Sequence, residues 1–147
     1  METVQPFDFN EVPHGWALCF SATCARSGSC LRHLASHHVP RHTRTVTCVY
    51  TPEPVSAGCD AWCSSQPVRF AYGFGYILTH MSRQEAQKVR LALRKHLGNG
   101  GTYYRYLHGE QALTPVQQKH FSYIVQAITG QREMIFDHYA NKYWFKD

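Results

Sequence analysis

Six cysteines constrain this chain most, in the order Cys19-x4-Cys24-x5-Cys30, then Cys48, then Cys59-x3-Cys63. Three thiols within twelve residues, in a stretch rich in Ser and Gly, tie the fold of that stretch to sulfur chemistry. Met1 to Val12 carries acids and no basic leader followed by an apolar run, so the chain is expected to be cytoplasmic. In a reducing compartment, clustered cysteines are more often metal ligands or redox groups than disulfides. Cys19, Cys24 and Cys30 are expected to converge on one ion, with Cys59, from a second Gly-containing loop, as the fourth thiolate. Four thiolates close a tetrahedral zinc site or hold a 4Fe-4S cluster. The chain has no C-x-x-C pair, a departure from the common zinc knuckle that keeps the cluster open as an alternative. So is a Cys19, Cys24, Cys30, His33 set, because residues three apart on a helix share a face. Cys63 is undecided between extra ligand and core. Cys48 is assigned to the core, on the apolar face of a strand. Against all of these stands the plainest alternative, thiols that simply pack.

The remainder must supply a core. With 147 residues, 44% hydrophobic, one compact domain spanning 1–147 is feasible and disorder is excluded. No long uncharged apolar run is present, so no membrane partner is expected. The formal charge of +5 is uneven: residues 1–25 carry −3, residues 26–105 carry +8, and residues 106–147 balance. Of the eleven bases in 26–105 nine are Arg, suited to bidentate phosphate contacts. Four thiolates around zinc carry about −2 and would offset Arg26 and Arg32, which moves the useful positive field to 69–105.

Organisation follows from periodicity and caps. Phe7 and Phe9 are spaced to dock one extended face, and a short helix is expected from Cys30, Leu31 and Leu34, stopped by Pro40. Thr43 to Tyr50 alternates as a strand, and Thr51 to Pro67 reads as a loop. Val68 to Thr79 is the longest strand candidate, with Phe70, Tyr72, Phe74 and Tyr76 on one face and Gly73 and Gly75 opposite for close approach. Ser82 and Glu85 form a capping box for a helix whose stripe is Ala86, Val89, Leu93 and Leu97, ending at Gly98. Thr102 to Leu107 reads as a short aromatic strand after a glycine turn. Thr114, Pro115 and Gln117 open another helix, and Gln131 to Trp144 a last one by the spacing of Ile135, Phe136, Tyr139 and Tyr143. The class is α+β: a sheet of about three strands with helices on one side. A Cys-rich segment, 14–63, precedes a strand-helix-strand-helix-helix body, 68–147.

The strings His14-Gly15-Trp16-Ala17-Leu18-Cys19-Phe20, Cys24 and Cys30-Leu31-Arg32 resemble a family of small uncharacterised proteins from Bacteroidales. Gly101-Thr102-Tyr103-Tyr104-Arg105-Tyr106, His108-Gly109-Glu110, Leu113-Thr114-Pro115 and Phe136-Asp137 with Tyr139 extend the likeness over nearly the whole chain. The family is a domain of unknown function, so the resemblance implies no activity. It does imply that Cys19, Cys24, Cys30 and Cys59 belong together, with Cys48 and Cys63 as departures from the pattern.

Rings and bases interleave in the positive stretch. Arg83, Arg90 and Arg94 fall within about 40° of one another on a helix at 3.6 residues per turn. With Arg69, Arg105, Tyr103 and Tyr104 they are the candidate contacts for an anion or single-stranded nucleic acid. The commoner alternative is a solvated helix rim and buried rings. No nucleophile motif or H-E-x-x-H pair occurs, although a site around His80, His108 and the tyrosines, or Cys63 with either histidine, stays open. The chain is therefore expected to be a non-enzymatic, metal-stabilised binding module with a nucleic-acid or regulatory protein partner. A thiol redox or iron–sulfur sensor and an enzyme with an unrecognised site are the alternatives.

Overall fold

The computed structural model describes residues 6–50, 59–130 and 133–147. The chain divides into two compact units, Met1–Pro67 with Tyr143–Asp147, and Val68–Lys142. The second unit begins at Val68 and ends at Lys142. The last five residues belong to the first unit.

In the first unit, regular structure is sparse. Two 3-10 turns, Phe9–Glu11 and Ser27–Ser29, and a six-residue helix, α1 (Leu31–Ser36), hold most of it. Trp16, Leu18, Leu31, Ala35 and Cys63 form the buried cluster, with Phe7, Phe9, Val12, Tyr143 and Phe145 packed against it. Phe7 and Phe9 thus dock as expected, although Phe9 opens a turn rather than lying in a strand. The expected strand over Thr43 to Tyr50 reduces to one parallel bridge between Cys48 and Leu18. β-branched content favours a strand only where a partner covers one face. Among the described residues no sheet does: Val46 and Tyr50 are exposed, and Cys48 is exposed rather than core. Residues 51–58 of the expected loop lie outside the described residues.

The second unit holds β1 (Val68–Tyr72), α2 (Gly75–Thr79), α3 (Arg83–Leu97), α4 (Gly100–Leu107), α5 (Pro115–Thr129) and β2 (His138–Lys142). The class is α+β, and among the described residues the sheet is two antiparallel strands, not three, in register from Val68–Lys142 to Tyr72–His138. Ala71 makes a further bridge to Leu113. The local signals with a capping mechanism hold. Ser82 with Glu85, and Thr114 with Gln117, form reciprocal capping boxes, and Pro115 occupies the first turn of α5. Three expectations are corrected. The strand from Val68 stops at Tyr72 because Gly73 takes a φ of +74°, and the chain turns into α2. Thr102 to Leu107 is helical: Asn99 caps the amide of Thr102, and Tyr103 and Tyr106, three apart, are its buried face. Within 133–144 the expected last helix is instead the approach to β2, with Gln131 and Arg132 outside the described residues.

Asp137 explains the last of these. Its backbone amide bonds to Gly73 O at 3.0 Å, and its carboxylate accepts the amides of Gly75 at 3.1 Å and Tyr76 at 2.9 Å. It therefore satisfies the start of α2 from 61 residues away in sequence. A Cβ on Gly73 would stand 2.6 Å from Asp137 Oδ2, so a side-chain carboxylate, rather than the backbone or helix expected against a strand face, makes the close approach there. No described helix is long and apolar enough to cross a membrane.

Candidate metal centre

Backbone pairing in the first unit brings distant thiols together. Cys30 is the residue before the first turn of α1. Leu31 N bonds to Cys63 O at 2.6 Å and Ser65 N to Ser29 O at 3.0 Å, which lays the segment after Cys59 alongside Cys30. Cys19 N bonds to Arg32 O at 3.1 Å and ties the first thiol to the same helix. Cys24 O accepts the amide of Ser27, opening the turn that leads to Cys30. The result is a cavity of about 20 Å³ that Cys19, Cys24, Cys30 and Cys59 all line, together with Arg32, His33 and Trp62. That volume holds roughly one water.

All six thiols are free. Among the described residues, no group of three or more His, Cys, Asp or Glu side chains is already drawn in closely enough to hold a metal ion. Cys63 is buried in the apolar cluster, and its Sγ donates to Trp144 O at 3.3 Å.

Arg32, expected from the sequence only to have its charge offset by the thiolates, is buried. It is only 7% exposed. Nε donates to Ala61 O at 2.8 Å, Nη1 to Ala17 O at 2.7 Å and Nη2 to Lys146 O at 3.0 Å. The guanidinium lies 4.4 Å from the centre of the Trp16 ring, and Trp16 Nε1 donates to the same Lys146 carbonyl at 2.9 Å. Three neutral carbonyls and a ring hold it, and none of those acceptors is a carboxylate. Buried charges are ordinarily paired, so a cation that lines a thiol cavity and, among the described residues, bonds to carbonyls alone favours negative charge there. The available sequence signal was its place beside Leu31, one turn before Ala35, in a helix with both of those inward.

His33 carries a second irregularity. Its Nε2 lies 3.0 Å from His37 Nε2, while its Nδ1 is buried without a partner. An unsatisfied buried polar atom costs about 1–3 kcal/mol.

The candidate anion contacts are distributed unevenly. Arg83, Arg90 and Arg94 are exposed along α3, and Arg105 is exposed on α4. Arg94 donates to the Tyr104 hydroxyl and sits 5.2 Å from the Tyr104 ring centre. Tyr104 is 45% exposed and lies nearly parallel to the ring of His108. Tyr103 is corrected: at 1% exposed it belongs to the core and offers no stacking face. Burial pushes its phenol above the ordinary range, with Arg90 and Arg94 pulling the other way. Arg69 is on β1 rather than α3, with its guanidinium 3.7 Å from the Tyr139 ring centre in an open groove beside α5. His80 stacks on Tyr76 and its Nδ1 lies 2.9 Å from Tyr76 O, so this ring is engaged locally.

No curated protein and no solved structure matches the chain. A family model does match, over residues 1–145, and it bears on the family without showing a Bacteroidales source. The chain therefore belongs to the family of unknown function DUF6078.

Proposed function

We propose that this chain is a non-enzymatic, metal-stapled binding module of the reducing cytoplasm, with zinc held among Cys19, Cys24, Cys30 and Cys59. One observation carries the reading: thiols spread over 41 positions of sequence line a single cavity beside a buried cation whose acceptors, among the described residues, are backbone carbonyls. The donors are soft and suit zinc. The side chains must turn inward on binding, as expected where metal binding and folding are coupled. Bound zinc would fasten the Cys59 loop and the N-terminal segment to α1, and its thiolates would balance Arg32.

Metal analysis of native protein purified without oxygen tests this. About one zinc per chain and no visible absorption are expected. A brown, iron-loaded protein would replace zinc with the iron–sulfur alternative, and a metal-free protein would overturn the staple.

The exposed cations of α3, with Tyr104 and His108, favour single-stranded nucleic acid as the partner, since they pair phosphate-binding groups with a stackable ring. Affinity should fall steeply with added salt and weaken in Arg90→Ala and Arg94→Ala. Salt-independent binding, or none, would count for a protein partner instead.

A further inference from the structure

Five donors surround a cavity in which a tetrahedral ion needs four. We propose that one of the four is His33, bound through Nδ1 and oriented by His37, an assignment that rests on the metal reading above and names its ligand set. Three observations converge on it. First, His33 lines the thiol cavity, and its Nδ1 is buried with no partner. Its other nitrogen is taken up, at 3.0 Å from His37 Nε2. A neutral imidazole that carries its proton on Nε2 donates there and leaves the Nδ1 lone pair free, which is the ligating form.

Second, Cys30 directly precedes α1 and His33 lies three residues on, within its first turns. That spacing puts both on one side of the helix. Third, the charges match. Zinc with three thiolates and a neutral imidazole carries −1, equal and opposite to the buried Arg32. Binding in this form releases three thiol protons and leaves one of the four cysteines as a protonated thiol.

Cobalt(II) substitution in the full-length chain tests the assignment, because sulfur-to-cobalt charge transfer and the ligand-field bands distinguish three sulfurs plus nitrogen from four sulfurs. The wild type should give the mixed spectrum. His33→Cys should convert it to the four-sulfur type while binding persists. His37→Ala should keep the mixed spectrum and weaken affinity by roughly 10-fold. A four-sulfur spectrum in the wild type, unchanged by His33→Cys, would overturn the assignment while leaving the staple intact. Failure of the wild type to take up cobalt or zinc at all would overturn the metal reading itself.

Discussion

Val68–Lys142 gathers fifteen buried residues into one apolar cluster, whereas Met1–Pro67 with Tyr143–Asp147 gathers five, among the described residues. The two units are close in length. The second has two 15-residue helices, each closed by a reciprocal capping box, around Phe74, Leu93, Phe121 and Val125. The first has one six-residue helix, and its interior includes a charged guanidinium and a thiol-lined cavity. A chain of this length that buries so little apolar surface is expected to need a staple beyond packing. The contrast teaches that the metal reading concerns stability before it concerns chemistry.

All three tryptophans, Trp16, Trp62 and Trp144, lie in the first unit, while α3 and α5 dominate the helical signal of the second. Tryptophan fluorescence and far-ultraviolet circular dichroism therefore follow the two units separately. Arg32→Ala should have the largest effect, roughly 3 kcal/mol, because the part-buried carbonyls of Ala17 and Ala61 lose the guanidinium as donor, Lys146 O keeps only Trp16 Nε1, and Trp16 loses its cover. It should lower the fluorescence transition and leave the dichroism transition in place. Equal movement of both would break the comparison. Gly73→Ala should cost the second unit about 2 kcal/mol, from the positive φ and the approach of Asp137, and here only the dichroism transition should move. The smallest effect is alkaline. Tyr103 ionises above the ordinary phenol value of about 10 when folded, so the unfolded chain loses its proton first. Its contribution is intact below that value and is lost as pH rises through the raised one. The dichroism transition should fall at high pH in the wild type and fall less in Tyr103→Phe; identical curves would remove Tyr103 as the cause.

What was legible in the sequence was local. Ser82 with Glu85, and Thr114 with Pro115 and Gln117, act within one turn, so spacing alone located α3 and α5. What failed depends on partners far along the chain. Ile135, Phe136, Tyr139 and Tyr143 fit a helical period, yet β2 forms because His138–Lys142 finds β1 and Asp137 caps α2. Asn99-Gly100-Gly101 reads as a turn until Asn99 is seen capping the Thr102 amide. Cysteines are few and their spacing is chemically meaningful, so the sequence could single out Cys19, Cys24, Cys30 and Cys59 as a proposed ligand set; the four line one cavity. The burial of Arg32 was not, since a guanidinium satisfied by carbonyls of Ala17, Ala61 and Lys146 leaves no pattern near its own position.

The central claim is that a bound ion holds the first unit together. Its most direct test is thermal unfolding of the native full-length chain, with and without a strong chelator under reducing conditions, followed by both probes at once. The account predicts that chelation abolishes the cooperative tryptophan transition and leaves the dichroism transition of the helical unit where it was. A tryptophan transition unchanged after the metal has been removed would contradict it.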